Sequence, residues 1–278
     1  MASPVEPLAL GVIVPGVDPI ASLERVRSLG LTTCQMMAPD PEWASADKAA
    51  RVMAASERTG VAVTCIFHHF PGETYTDIET IHAMCGLVPA AYRAERLVLA
   101  RKQADVAAAW GVDTMAAHIG FVPEERDDPT YVAVVAAMRE ICDYEHEQGL
   151  RFGLETGQEK SEALRQFIMD VNRRNLGVNF DPANMLLYGA DRPLPSLDIL
   201  GDLLFGVHAK DGNWPATPGT LGQEMPLGQG EVNFPEFIAK LKRVGYRGPL
   251  TIEREIEGEQ QEQDIRAGIG MLRGLIAG

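Results

Sequence analysis

The chain of 278 residues has 46% hydrophobic and 23% charged side chains, enough apolar material for one large core, and we expect a single domain spanning 1–278. Its 25 lysines and arginines against 39 aspartates and glutamates give a net charge of −14, so its surface repels phosphate backbones and anionic lipid headgroups. These values argue against nucleic acid or a membrane as a partner.

Eight apolar segments predict strands, in chain order over 8–14, 31–37, 61–70, 112–120, 150–157, 176–185, 203–211 and 249–255. Helical patterns lie between several of them, over 19–30, 46–60, 94–111, 131–149, 161–175 and 234–246, and a last one over 262–278 follows the eighth strand. Near-continuous apolar strands that alternate with helices predict parallel pairing. The count of eight favours a single (β/α)8 TIM barrel over a doubly wound open sheet.

Localisation and redox state follow from two further features of the sequence. The first ten residues lack a basic segment followed by a long apolar one, and no run of 18 apolar residues occurs, so we expect a soluble, cytoplasmic protein. The four cysteines form no CxxC pair and lie in apolar segments, at Cys34, Cys65, Cys85 and Cys142. We expect them to be reduced core residues.

Ionisable residues stand near the carboxyl ends of the last four predicted strands. They are Glu155, Asp181, His208 and Glu253. Since the carboxyl ends of parallel barrel strands meet at one rim, these side chains should converge there. Three carboxylates and an imidazole carry about three negative charges and would repel one another unless a divalent cation lay among them. The sequence therefore predicts a metal site.

Strand alternation predicts the surroundings of this site. The residues two positions earlier on each strand point the same way and are small or uncharged, namely Gly153, Asn179, Gly206 and Thr251. Small side chains leave room beneath a bound ion. Lys210 shares the face of His208 and is either a substrate contact in the barrel mouth or a lysine that extends from the rim to solvent.

Histidines lie at the ends of the third and fourth predicted strands. Neighbours on a strand point to opposite sides, so one of His68 and His69 faces the mouth, and we favour His68. His68 and His118 are candidates for binding substrate hydroxyls, and the alternative for each is an imidazole packed in the core.

The segments GLETG, NFDPANM, VHAKDG and the stretch from PLGQGEV to TIERE resemble the xylose isomerase-like superfamily of TIM barrels. The resemblance covers essentially the whole chain and is strongest from residue 150 to 255, within the sugar phosphate isomerase/epimerase branch. That branch includes D-tagatose 3-epimerases and inosose isomerases and dehydratases. The resemblance implies one divalent ion, most commonly Mn²⁺ and also Mg²⁺, Co²⁺ or Zn²⁺, held by Glu155, Asp181, His208 and Glu253.

The resemblance also implies that Glu155 and Glu253 act as an acid/base pair on a small sugar or polyol, through a cis-enediolate. Tagatose-type epimerases carry a substrate-binding histidine three residues after the metal-binding aspartate, and Asn184 occupies that place here. The family further implies a homodimer or homotetramer. The related AP endonucleases hold three metals, and the absence of an Asp-Arg-His sequence from 212–232 argues against that activity.

Three function classes remain after this comparison of motifs. The first is a metal-dependent isomerase or epimerase acting on a ketose or keto-polyol. The second is a lyase or dehydratase acting on a keto-inositol or a 3-keto-glycoside, because the same enolate can expel a neighbouring oxygen. The third is a barrel that binds a metal without catalysis. The first two use every residue named above, so the sequence does not separate them.

Overall fold

The computed structural model describes residues 6–277, which form a closed barrel of eight parallel strands surrounded by helices. This confirms the predicted (β/α)8 architecture. The barrel strands are β1 (Leu10–Val14), β2 (Thr33–Met37), β3 (Ala62–Phe67), β4 (Thr114–Ala117), β5 (Arg151–Glu155), β6 (Leu176–Phe180), β7 (Leu204–Ala209) and β10 (Leu250–Ile252). Of the predicted single domain, residues 1–5 and Gly278 lie outside the described residues.

Closure of the barrel joins its last strand to its first. Each strand pairs in parallel with its neighbour in chain order, and β10 pairs with both β7 and β1, where Leu250 lies opposite Leu10. All eight carboxyl ends therefore meet at one rim, which we call the mouth.

Helices cover the outside of the barrel. They are α1 (Pro19–Ser28), α2 (Ala46–Thr59), α3 (Ile78–Met84), α4 (Ala90–Trp110), α5 (Pro129–Glu147), α6 (Ser161–Val171), α7 (Pro182–Leu187), α8 (Pro193–Leu200), α9 (Phe234–Arg243) and α10 (Glu259–Ala277). Several begin at side-chain caps and end at glycine; for example, Gly111 follows α4 with φ at 72°, a left-handed conformation that glycine adopts without strain. No helix within 6–277 is long and apolar enough to span a bilayer.

The barrel separates two apolar regions. The larger lies between the strands and the helices, and a smaller one inside the barrel contains Cys65, Phe67 and Ala116, with Met37 packed against it. Strands buried on both faces are apolar at nearly every position, which is why their sequences lack alternation. The inward positions of β3 are thus 65 and 67.

The sixth predicted strand is too long. The structure ends β6 at Phe180, and the residues from Pro182 onward form α7, so the prediction of a strand over 176–185 is wrong in its second half. Oδ1 of Asp181 accepts a hydrogen bond from the backbone N–H of Asn184, and Pro182 takes the first helical position, where a missing N–H costs nothing.

The two long connections at the mouth, after β3 and after β7, contain structure of their own. The segment 71–92 includes α3, and the segment 212–232 includes most of a short antiparallel hairpin formed by β8 (Asp211–Asn213) and β9 (Gln223–Met225). The four cysteines are buried and free, as predicted, and burial raises the pKa of Cys34 to about 12. A thiol with so high a pKa stays protonated and unreactive near neutrality.

Candidate active site

The four predicted metal ligands converge at the mouth. Glu155 ends β5, Asp181 follows β6, His208 lies on β7 and Glu253 follows β10. One ligand atom from each lies within 4.8 Å of the others. The sequence separations of these residues range from 26 to 98 positions, so the closed barrel is what brings them together.

The imidazole of His208 occupies the centre of this cluster. Its Nδ1 lies 2.9 Å from Oε1 of Glu155, 3.2 Å from Oδ2 of Asp181 and 3.3 Å from Oε2 of Glu253. One nitrogen therefore faces three carboxylates. Such an arrangement is stable only with positive charge between these groups, supplied by a proton on the ring or by a cation.

A buried amide holds the far side of the imidazole. Nε2 of His208 lies 2.8 Å from Oε1 of Gln35, closer than the 3.1 Å to Nδ2 of Asn179, so the network assigns the proton to Nε2. Nε2 of Gln35 in turn donates to Oδ1 of Asn179 at 3.0 Å. With Nε2 as donor, the lone pair of Nδ1 points to the carboxylates, which is the tautomer that a metal ligand needs.

The pKa values of the clustered side chains depend on burial and on the neighbouring charges. Burial raises the pKa of Asp181. Burial also opposes ionisation of Glu155, but the adjacent His118 and His208 outweigh it and lower the pKa of Glu155 to about 2. Against the cost of burial, the carboxylates of Glu253 and Glu155 raise the pKa of His208 well above its usual value.

The donor set fits a hard divalent cation. Three carboxylates and one imidazole are the ligand types that Mn²⁺, Mg²⁺ and Zn²⁺ accept, and a cation would take the place of the proton on Nδ1 of His208. The residues beneath the cluster are small, as expected from alternation. A Cβ added to Gly206 would lie 2.2 Å from Oδ1 of Asn179, so a larger residue there would disturb the amides that orient His208.

A cavity of about 540 Å³ opens above the cluster. Glu155 and Glu253 line it, whereas Asp181 and His208 are fully buried and do not. The two glutamates are therefore the members of the cluster that a substrate can reach. Apolar side chains from the first three strands, among them Ile13, Met37 and Phe67, cover one wall.

His118 and Asn184 lie at the cavity next to Glu155. Nε2 of His118 is 2.8 Å from Oε2 of Glu155, and Nδ2 of Asn184 is 3.4 Å from that same ring nitrogen. Both residues line the cavity, and their contacts with substrate stay a prediction. Tyr75 and Tyr188 flank the His118 ring at 5.7 and 6.4 Å between centroids.

His68 borders the cavity, but its side chain does not face the mouth as expected. Its side chain is fully buried on the helix side of β3, where Nδ1 lies 2.8 Å from Oε1 of Gln103 on α4 and Nε2 lies 3.1 Å from Oε1 of Glu145 on α5. The core-packed alternative therefore holds for His68. With positions 65 and 67 directed inward, alternation places His69 on the cavity side, and His69 is exposed there.

Lys210 is on the predicted side of β7 but does not line the cavity. Its ammonium group is 99% buried and lies 3.1 Å from each of three oxygens, those of Asn184, Glu253 and Glu255. It donates a hydrogen bond to Oδ1 of Asn184 and forms ion pairs with the two glutamates, so neither of the predicted alternatives, a substrate contact or a rim lysine, describes it. Because Lys210 donates to Oδ1 of Asn184, the Nδ2 donor of that amide lies on the side of His118 and Glu155.

We expect Lys210→Met to lower the free energy of unfolding by about 3 kcal/mol, because it leaves buried Glu253 and the Asn184 oxygen without their cation. Urea unfolding of the metal-free protein measures this. Lys240→Met is the matched control, since Lys240 pairs with exposed Asp198, and its cost should stay below about 1 kcal/mol. Equal losses for the two variants would contradict a stabilising role for Lys210.

Several residues of the site, in the cavity lining or beneath the cluster, escaped prediction from the sequence. Gln35 is a polar residue at an inward position of a buried strand, a signal that strand alternation could have revealed. The cavity residues Tyr188, Arg254 and Glu255 lie in loops, and Glu224 lies on the three-residue β9. Neither kind of segment has a periodicity in sequence that marks the residues facing a site.

Comparisons with known proteins place this site in a family. The family model described as "Xylose isomerase-like TIM barrel" matches residues 23–275. An uncharacterized protein of Methanocaldococcus jannaschii (MJ1311) is 27% identical over 156 residues, 51% of each chain. An L-ribulose 3-epimerase of Methylomonas sp. is 29% identical over 126 residues, 43% of this chain and 40% of the epimerase. The matches thus span about half the length of these curated relatives or less.

Solved structures resemble the whole chain. A xylose isomerase domain protein from Planctomyces limnophilus is 38% identical, with a TM-score of 0.92 and 97% of each chain covered. A D-psicose 3-epimerase has a TM-score of 0.73 at 16% identity and covers 97% of this chain and 100% of its own. A probable 3-DHS dehydratase from Bacillus anthracis has a TM-score of 0.69 at 16% identity over 95% and 98%. At these low identities, the last two show the shared fold alone.

Proposed function

The chain belongs to the xylose isomerase-like TIM barrel family, and from that premise we propose that it is a metal-dependent epimerase or isomerase of a ketose or keto-polyol. One observation carries this proposal: Glu155 and Glu253 belong to the four-residue cluster and also line the cavity. Two carboxylates beside a bound sugar form the pair of proton-transfer groups that inversion next to a carbonyl requires.

Glu155, Asp181, His208 and Glu253 would hold the cation. Mn²⁺ is the cation that we propose, with Mg²⁺, Co²⁺ and Zn²⁺ as the other ions that accept such a donor set. When bound, the cation supplies positive charge where the carbonyl oxygen of the substrate becomes an enolate oxygen. The chain itself supplies the proton transfers and the orientation of the substrate.

The glutamates would divide the proton transfers between them. One carboxylate removes the proton from the carbon beside the carbonyl, which leaves a cis-enediolate and a protonated glutamate. The other glutamate, protonated at that stage, returns a proton to the opposite face, and exchange with solvent restores both groups. If the proton is instead removed from C1 of a 2-ketose and a proton is returned to C2, with the hydroxyl proton moving from the oxygen on C1 to the oxygen on C2, the product is the aldose.

Neighbouring side chains orient the pair. His118, 2.8 Å from Oε2 of Glu155, fixes the rotation of that carboxylate, and Lys210 does the same for Glu253 at 3.1 Å. Asn184 places its Nδ2 beside His118 because Lys210 binds its oxygen. We propose that this amide donates to a substrate hydroxyl in the place where tagatose-type epimerases use histidine.

Deuterium uptake tests the proposal at the step shared by all of these reactions. The Mn²⁺-loaded protein is incubated in D₂O with L-ribulose, D-psicose, an inosose and a 3-keto-glucoside, and each sugar is examined by NMR. We expect deuterium on the carbon beside the carbonyl of at least one sugar. An epimer or isomer as product supports this proposal, and an enone identifies elimination instead. Protein that exchanges no hydrogen on any of these substrates with any of the four metals would overturn it.

A further inference from the structure

The loop after the seventh barrel strand contains a site for an anion, and the chain fills that site itself. TIM barrels frequently bind substrate phosphate with backbone N–H groups of the loops that follow the seventh and eighth strands. Here the carboxylate of Asp211 accepts hydrogen bonds from four backbone N–H groups of this loop. The donors are Gly212 (2.9 Å), Gly228 (2.9 Å), Gly230 (3.0 Å) and Val232 (3.2 Å).

The loop is shaped around this carboxylate. Asp211 is 1% exposed, and a Cβ added to Gly230 would lie 2.3 Å from its Oδ1. Gly228 has φ at 83°, a conformation that glycine adopts without strain. The donors that would bind a phosphate are therefore occupied, and the same loop continues into the wall of the cavity at Leu221 and Glu224.

The positive charges at the mouth are likewise already paired. Among the cavity-lining residues within 6–277, Arg254 is the single lysine or arginine, and its guanidinium contacts Glu224 and Asp264, each at 2.8 Å. Lys210, beneath the lining, is held by Glu253 and Glu255.

Carboxylates are the commonest charged groups in the rest of the lining. Besides the proposed catalytic pair, Glu73, Glu224 and Glu255 line the cavity. A phosphate group with its charge of about −2 would enter among these groups with no unpaired lysine or arginine, among the described lining residues, to receive it.

Building on the proposed function, we propose that the substrate is uncharged, a free sugar, polyol or glycoside without phosphate or carboxylate. Asp211 occupies backbone N–H donors of the loop in which TIM barrels frequently bind a substrate phosphate, and the lysine and arginine at the mouth, Lys210 and Arg254, are each already paired with two carboxylates. The neutral hydroxyls of such a substrate meet the donors and acceptors that line the cavity at no electrostatic cost.

Turnover of matched substrates tests this preference. Ketoses are offered to the Mn²⁺-loaded protein with and without a terminal phosphate, and deuterium uptake from D₂O gives kcat/KM for each. We expect the free sugar to be favoured at least tenfold, and higher ionic strength to raise kcat/KM for the phosphate alone, because salt screens repulsion. Equal or faster turnover of the phosphate would overturn the proposal. Exchange with no sugar of either kind would instead count against the proposed epimerase activity.

Inorganic phosphate probes the loop independently of turnover. We expect 20 mM phosphate, compared with chloride of equal ionic strength, to leave the melting temperature of the metal-free wild type unchanged. It should raise that of Asp211→Gly by several degrees, since phosphate can then accept the four N–H bonds. Asp211→Asn keeps the side chain in place and should not respond. A wild type that phosphate stabilises would overturn the proposal, even if Asp211→Gly does not fold.

Discussion

Glutamine in place of Glu155 or Glu253 is expected to lower kcat by a factor on the order of 10² to 10⁴, the usual contribution of a positioned acid or base. The amide keeps the shape of the side chain and one oxygen that can face a cation, but it cannot take up a proton. KM should change much less, because His118, Asn184 and the apolar wall are retained. A fall in kcat that is larger than the change in KM would identify a group that acts in the transition state.

Glu255→Gln is the matched control for this pair. Glu255 also lines the cavity and contacts Lys210, but it lies outside the four-residue cluster and is 58% exposed on its side chain. We expect its kcat to stay within a few-fold of the wild type. Steady-state rates are measured at saturating Mn²⁺, with the metal content of each variant determined, so that a lost ion is not mistaken for a lost base. Near-normal kcat in Glu155→Gln or Glu253→Gln would refute the acid/base assignment.

The cluster could be predicted from the sequence because a parallel barrel simplifies the geometry. Once eight strands alternate with helices in a barrel, all their carboxyl ends must lie at one rim. A charged residue at the end of an otherwise buried strand destabilises the fold unless its charge is paired, so such a residue indicates a function. Glu155, His208 and Glu253 needed no other information. Asp181 was found for the same reason, although the backbone after it forms α7 rather than more strand.

His68 shows where this reasoning fails. Alternation says that His68 and His69 point to opposite sides, but it does not say which of them points inward. In β3 the residues on both faces are mostly apolar, because one face packs inside the barrel and the other against helices. The sequence therefore does not indicate which set of alternate residues points into the barrel. The inward contacts of Phe67, whose ring centroid lies 6.2 Å from that of His118, determine this. These contacts are tertiary and could not be inferred locally.

Lys210 shows a second limit. Its position on the same face as His208 was correct, but its partners Asn184 and Glu255 come from α7 and from the residues after β10. Whether a rim lysine meets substrate, solvent or buried carboxylates depends on how loops fold over it, and loop conformation has no periodic signal in sequence. The hairpin of β8 and β9 went unpredicted for a related reason, since each of its strands has three residues.

Removal of the divalent ion is expected to lower the melting temperature by about 5 to 10 °C. A ligand present at about 100 times its Kd stabilises the folded state by about 2.7 kcal/mol. In domains of about 150 to 250 residues, somewhat shorter than this chain, a change of 1 kcal/mol in stability corresponds to about 2 to 4 °C in melting temperature. The physical cause is the set of three carboxylates around Nδ1 of His208, whose mutual repulsion a divalent ion offsets more fully than a proton on that nitrogen does. Thermal unfolding with Mn²⁺ and with excess EDTA measures the difference.

Asp181→Asn isolates the charge of the cluster from its architecture. Asparagine is as good a helix N-cap as aspartate, so α7 should still begin with the hydrogen bond to the N–H of Asn184. With one carboxylate fewer, the metal-free variant should melt at or above the metal-free wild type, because burial disfavours the ionised form of Asp181. The variant should also lose most of the stabilisation by Mn²⁺. With metal added, the wild type should therefore have the higher melting temperature of the two proteins. A wild type whose melting temperature is the same with Mn²⁺ and with EDTA would show that the four residues hold no stabilising ion.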